Sequence, residues 1–175
     1  MRFLSAAPAL ALAFASTAQA AEPPCLTAAE FTAVSTYAMP GAIEAVAERC
    51  APQLGASAFL KTDSKRLAAR YAATSQAAWP RAKAAFLKVG GSGNPEAVRL
   101  FGAMPDDTLQ PMVDGVLASA IAQKLPTDRC TAIDRLVRLL SPLPPENTAE
   151  LIALAAGLGA KSDKAKVGQF SLCRE

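Results

Sequence analysis

The sequence predicts an all-α protein, a compact bundle of about six to seven helices. Three observations lead to this prediction. Alanine is abundant, whereas isoleucine occurs only at positions 43, 121, 133 and 152, a composition that favours helix over sheet. Apolar residues recur at spacings of three and four residues, which is the period of an amphipathic helix. Helix-start and helix-stop signals divide the chain into segments joined by short connections.

The segment Lys61–Val89 is predicted to be the central helix. At ~1.5 Å per residue it would be roughly 40 Å long. Pro80 lies inside it and lacks the amide proton that the preceding turn needs, so we expect a kink or a break there. The glycine-rich segment 90–93 ends the helix. Its predicted apolar face consists of Leu67, Ala68, Tyr71, Ser75, Ala78, Trp79, Ala82, Ala85, Phe86 and Val89.

The opposite face of this helix is basic. Arg66, Arg70, Arg81 and Lys88 fall close together around the axis, and the segment holds seven basic residues and one acidic residue. This asymmetry favours a partner of negative charge, such as lipid head groups or an acidic protein; an ordinary solvated helix face is the alternative. Trp79, the only tryptophan, either fills the core or forms the wall of a ligand pocket opened by the kink.

Residues 1–20 are predicted to be a secretory signal peptide. Arg2 supplies the positive start, the apolar run from Phe3 to Ala15 is too short to span a bilayer, and Ala18-Gln19-Ala20 gives a cleavage site. The mature protein would be a single helical domain, residues 21–175, without a transmembrane segment. The alanine-rich leader is typical of bacteria, which predicts export to the periplasm.

Four cysteines in an exported chain predict two disulfides. A capping box of Thr27 and Glu30 starts a first helix, Met39-Pro40-Gly41 is predicted to turn the chain, and a second helix returns to Cys50. Cys25 and Cys50 would then lie side by side and staple a helical hairpin.

A second hairpin is predicted in the C-terminal half. A helix starts at Thr127 or Asp128 and stops at Ser141–Pro145, and Asn147 caps the next one. Gly157 and Gly159 are expected to end that helix. Cys173 would fold back to Cys130 and staple this hairpin.

Two further helices lie between the central helix and this hairpin. Asn94-Pro95-Glu96 starts the first, and Asp107 with Gln110 frames the start of the second, which Leu125-Pro126 closes. The predicted apolar face of the second is Val113, Val116, Leu117, Ala120 and Ile121. The face of the helix after it is Ile133, Leu136, Val137 and Leu140.

The composition excludes several kinds of chemistry. The chain has no histidine, which removes histidine general bases, Ser-His-Asp systems and most zinc, copper and haem sites. No Cys-x-x-Cys motif is present, so a thioredoxin-type centre is not expected. Asp106-Asp107 is interpreted as a turn and helix cap, with calcium binding as the alternative. We therefore expect no metal and no cofactor.

Three function classes remain open. The first is a non-catalytic protein of the envelope that binds a partner or an anionic surface through the basic face; the net charge of +3 is too small to indicate nucleic-acid binding. The second is a binder of a small apolar ligand or lipid, held between Trp79 and the apolar segment Leu151–Leu158. The third is a cell-wall glycan hydrolase, for which Glu146 and Glu150 are the available acids.

Overall fold

The computed structural model describes residues 24–91, 94–160, 166–167 and 170–173, so the predicted signal peptide lies outside the described residues. The described part has seven α-helices, which confirms the all-α prediction. They are α1 (Ala28–Cys50), α2 (Phe59–Thr62), α3 (Ser64–Gly90), α4 (Pro95–Ala103), α5 (Asp106–Lys124), α6 (Cys130–Leu140) and α7 (Pro145–Ala160). Turns of 3-10 helix at Ala51–Gln53 and Thr127–Arg129 precede α2 and α6. The strands β1 (Lys166–Val167) and β2 (Phe170–Ser171) pair antiparallel and were not predicted.

The first helix is twice as long as predicted. It starts at the predicted capping box, in which the Glu30 amide donates to Thr27 Oγ1 (3.2 Å) and the Thr27 amide donates to Glu30 Oε2 (2.8 Å). It then continues through Pro40 to Cys50, so the predicted turn at Met39-Pro40-Gly41 is wrong. Burial supplies the physical reason, because α1 buries residues along its whole length against α3, α5 and α7. A single proline costs an α-helix about 3 kcal/mol, which packing of this extent offsets.

The uninterrupted helix changes the disulfide pairing. Cys25 and Cys50 lie before the start and at the end of α1, about 34 Å apart at ~1.5 Å per residue, and cannot be bonded. The bonds are Cys25–Cys173 and Cys50–Cys130. Both predicted pairings, and with them the two stapled hairpins, are therefore wrong, although all four cysteines are paired as expected.

The predicted central helix is confirmed in extent, except that its first residues form the separate short helix α2. α3 continues through Pro80 without a break and ends at Gly90, as expected. The carboxylate of Asp63 does not accept a backbone amide of α3; it accepts the Thr62 hydroxyl (2.7 Å) and pairs with Arg66. Seven residues of the predicted apolar face are buried, and Ala78, Phe86 and Val89 are partly buried against the core.

The core lies between α1 and α3, which run antiparallel. Phe31, Val34 and Tyr37 of the first half of α1 pack with Trp79 and its neighbours in the second half of α3. Ile43 in the second half of α1 packs with residues near the start of α3. A third cluster surrounds the buried disulfide; its buried members are Cys50, Leu54, Leu60 and Cys130.

Parts of the C-terminal half differ from the predictions. Helix α7 begins at Pro145 rather than after Asn147, and it continues past both glycines to Ala160. Val116 and Leu136 were predicted to lie on the apolar faces of their helices, but they are 70% and 55% exposed. Only part of each predicted face has a neighbouring helix to cover it, which periodicity alone does not reveal.

The end of the chain returns to its beginning. The Leu26 amide donates to the Ser171 carbonyl (2.8 Å), and the Cys173 amide donates to the Leu26 carbonyl (2.9 Å). Leu26 is fully buried, and Leu172 packs against the cluster to which it belongs. The Cys25–Cys173 bond therefore closes a short parallel bridge at the N-terminal end of α1.

Candidate functional site

The basic face predicted on α3 is exposed, but its four cations do not form one site. Arg66 and Lys88 lie about 33 Å apart along the helix at ~1.5 Å per residue. Lys88 forms a salt bridge with Glu30, its Nζ lying 2.8 Å from Oε2. Arg81 has no ion pair within the part of the chain that the structure describes. Of the four, Arg66 and Arg70, at the start of α3, have further cations beside them, which come from α6.

Helix α6 brings two more arginines to the start of α3. The Leu60 amide donates to Asp134 Oδ1 (2.7 Å), and Arg70 donates to the Ser141 carbonyl. These two contacts show that α6 runs parallel to α2 and the first turns of α3. Arg135 and Arg138 line a groove of about 370 Å³ between α2 and α6. We call Arg66, Arg70, Arg135 and Arg138 the arginine end of the bundle.

Protein donors already occupy both carboxylates in this groove. Asp63 pairs with Arg66 and accepts the Thr62 hydroxyl, and Asp134 accepts the Leu60 amide.

Arg135 and Arg138 are exposed and have no ion pair among the described residues. Hydroxyl groups line the same groove, from Ser57, Thr62 and Thr131. The groove therefore combines uncommitted guanidinium groups with hydroxyl donors, a set that suits an anion with several oxygen atoms.

The position of α6 follows from its sequence. Ile133 and Val137 are partly buried against the cluster of the Cys50–Cys130 disulfide, which holds the helix against α2. Arg70 lies over the Tyr71 ring, 5.8 Å from its centroid, and its hydrogen bond to Ser141 reaches the end of α6. Arg135 and Arg138 were not predicted as site residues. Their three-residue spacing puts them on one helix face, but no local signal shows that this face meets α3.

Trp79 lies in the core, with 3% of its surface exposed, and packs against Tyr37 at a centroid distance of 4.7 Å. Its buried indole N–H makes no hydrogen bond of standard geometry within the described residues. It nevertheless contributes to lowering the pKa of Asp106, for which the main cause is the hydrogen bond from Lys83. Trp79 lines neither the α2–α6 groove nor the larger groove described next.

A larger, open groove of about 870 Å³ lies between α1, α3 and α5. Small residues form much of its lining, among them Gly41, Ala45 and Ala118. Tyr37 and Asp114 lie at one part of it, joined by a hydrogen bond of 2.7 Å. Because Tyr37 also packs against Trp79, only the Tyr37 ring would separate a ligand bound at this part of the groove from the tryptophan.

The acids considered for hydrolysis or calcium binding have structural contacts. Glu146 accepts a hydrogen bond from Thr74 (3.4 Å), and Asp106 forms a salt bridge with Lys83 (2.8 Å). Glu150 is exposed. Among the described residues no carboxylate is buried, and no three acidic or cysteine side chains are grouped as metal ligands.

No described helix combines the length and the apolar character needed to cross a membrane. Comparison with known proteins gives no further assignment, since no protein family, curated protein or solved structure matches this chain.

Proposed function

We propose that this protein is an exported, non-catalytic helical protein that binds an anionic partner or surface of the cell envelope through the arginine end. Two lines of reasoning support export to the periplasm. The first twenty residues have the composition of a cleavable leader, and the two disulfides are bonds that persist in an oxidising compartment.

The observation that carries the proposal is the meeting of α3 and α6. Arg135 and Arg138 of α6 line a groove whose two carboxylates are already held by protein donors, and Arg66 of α3 pairs with one of these carboxylates, that of Asp63. Arginine pairs with phosphate and carboxylate through two parallel hydrogen bonds, so the two uncommitted guanidinium groups of Arg135 and Arg138 favour binding of an anionic group over simple solvation.

The test compares two variants of equal net charge. Arg135→Gln/Arg138→Gln removes two cations from the arginine end, and Arg81→Gln/Arg99→Gln removes two exposed cations from α3 and α4. The probe is heparin, a soluble polyanion, on a column eluted with salt. We expect the first variant to elute at clearly lower salt than the second. Equal elution would show that only net charge matters and would refute the arginine end as a binding site.

The groove between α1, α3 and α5 supports a second candidate function, binding of a small apolar ligand. Its volume of about 870 Å³ lies within the range of ligand pockets, and Tyr37 connects it to the single tryptophan. Native mass spectrometry and Trp79 fluorescence during addition of fatty acids test this function. A co-purified mass or a saturable fluorescence change supports it, and an apo mass with constant fluorescence refutes it.

A further inference from the structure

The outer face of α6 places apolar side chains beside the arginine end. Leu136 and Leu139 are 55% and 61% exposed and lie one above the other, three residues apart. At 100° per residue, the exposed Ala132 belongs to the same strip, and Arg135 and Arg138 form the neighbouring strip. The solvent side of α6 is therefore an apolar strip bordered by cations.

We propose that this face of α6 docks on the surface of an anionic phospholipid bilayer. The inference rests on the proposed function and specifies its partner: the arginine end binds lipid phosphates, while Leu136 and Leu139 enter the boundary between head groups and acyl chains. Helices that lie in a membrane interface have this division between a cationic and an apolar strip.

Charge and shape favour a bilayer as the occupant. The strip is convex, being the outer side of a helix, and a soft lipid surface can accommodate such a shape. Arginine keeps its guanidinium at the phosphate level while its aliphatic stem lies against apolar groups. The α2–α6 groove, with Ser57 and Thr131 hydroxyls beside two arginines, offers donors for the oxygens of a single phosphate.

Helix α7 provides a matched comparison on the same molecule. Leu151 and Leu154 are 44% and 60% exposed and also lie three residues apart. Their neighbour Glu150 is exposed and acidic, and Glu146 lies one turn before it. An anionic bilayer repels this strip, so removal of its leucines should leave membrane binding intact.

The experiment measures co-sedimentation of the full mature protein with vesicles. One vesicle is phosphatidylcholine alone, and the other contains phosphatidylglycerol as well. The protein should bind only the second, and binding should weaken with salt. Leu136→Ser/Leu139→Ser should lower the partition coefficient about tenfold, for loss of two partly inserted leucines. Arg135→Gln/Arg138→Gln should lower it about 25-fold, since each cation near an anionic membrane contributes about fivefold.

The control Leu151→Ser/Leu154→Ser should bind like the wild type, and circular dichroism checks that each variant is folded. Unchanged binding of Leu136→Ser/Leu139→Ser, or no binding of the wild type to either vesicle, overturns the inference. If inorganic phosphate shifts the amide resonances of Arg135 and Arg138 while vesicles do not bind, the groove takes free phosphate and the lipid assignment fails. The heparin comparison separates the two proposals, because it tests the arginine end without lipid.

Discussion

The hydroxyl of Tyr37 donates a hydrogen bond of 2.7 Å to Oδ1 of Asp114, joining α1 to α5 beside the larger groove. Tyr37 is 3% exposed, whereas Asp114 is exposed. Burial raises the pKa of Tyr37 far above its usual value of 10.0, and the hydrogen bond to the Asp114 carboxylate raises it further. The hydroxyl therefore stays protonated in the folded protein under conditions in which an exposed tyrosine ionises.

This relationship predicts how stability depends on alkaline pH. The raised pKa of Tyr37 contributes stability that is complete below the tyrosine pKa in the unfolded chain, near 10. This stability is lost as the pH rises toward the pKa of Tyr37 in the folded protein, because the unfolded chain releases its proton first. Asp114→Asn should lower the pKa of Tyr37 while leaving it above 10, since burial remains. NMR of ¹³C-labelled tyrosine follows this titration, with the Tyr37 signal resolved from the signal of Tyr71, the only other tyrosine. An unchanged Tyr37 titration in the variant would contradict the hydrogen bond.

A second prediction concerns the continuity of α1. A Cβ added at Gly41 meets nothing within 4 Å, so Gly41→Ala should stabilise the protein by about 0.5–1 kcal/mol, the difference in helix propensity. Chemical denaturation measures the change. If residues 39–41 formed a turn that needed glycine, the same substitution would destabilise.

Gly91→Ala is the contrasting control. The added Cβ would overlap Cγ2 of Val98 and lie 2.8 Å from the Leu87 carbonyl oxygen. We expect it to cost about 1–3 kcal/mol, the usual range for an overpacked site. Opposite signs for the two glycines would confirm that one lies in a continuous helix and the other at a tight helix end.

Local signals in the sequence predicted the start of α1 and the end of α3, but not the continuity of α1 or the ends of α7. The capping box at Thr27 and Glu30 depends on four consecutive residues, and it is confirmed. The error at Pro40 arose because a proline and a glycine indicate a turn locally, whereas packing of α1 against three other helices decides the outcome. That one error placed Cys25 and Cys50, the two cysteines nearest to each other in the sequence, side by side and led to the wrong disulfide pairing.

The candidate site was predicted only in part for a similar reason. Arg66 and Arg70 were found because one long helix shows its basic face in its own periodicity. Arg135 and Arg138 belong to another helix, and their proximity depends on contacts such as Leu60 with Asp134, which are far apart in sequence. Leu136 was placed on the apolar face of its helix, but periodicity does not show which apolar residues will have a neighbour.

The disulfides give a third prediction. Peptide mapping of the unreduced protein should yield Cys25 linked to Cys173 and Cys50 linked to Cys130, with no free thiol. Both bonds close long loops, and each should contribute about 4–5 kcal/mol in the chain-entropy description. Cys50 and Cys130 are buried at 0% and 1% exposure, so replacing them with alanine also leaves a cavity. Cys50→Ala/Cys130→Ala should therefore lower the melting temperature more than Cys25→Ala/Cys173→Ala.

The last prediction concerns Glu30, which belongs to the capping box of α1 and also pairs with Lys88 of α3. The hydrogen bond from Lys88 is the largest cause that lowers the pKa of Glu30, and the amide and hydroxyl of Thr27 add to it. A lowered carboxyl pKa contributes stability that is present above the ordinary glutamate pKa of 4.5 and is lost as the pH falls through the pKa of Glu30 in the folded protein. Glu30→Gln keeps the cap but not the ion pair, and should cost about 0.5–1 kcal/mol near pH 7.

Glu30→Ala should cost about 1 kcal/mol more than Glu30→Gln, because it also removes the cap. Urea denaturation measured from neutral to acidic pH should show the difference between wild type and Glu30→Gln beginning to shrink below pH 4.5 and disappearing once the pH is below the lowered pKa of Glu30 in the folded protein. Added salt should reduce the same difference at neutral pH, since both side chains are partly exposed. Glu96→Gln, in the first turn of α4, is the control for removal of an exposed acid. A difference that persisted unchanged into acid would show that the Lys88 ion pair contributes nothing to stability.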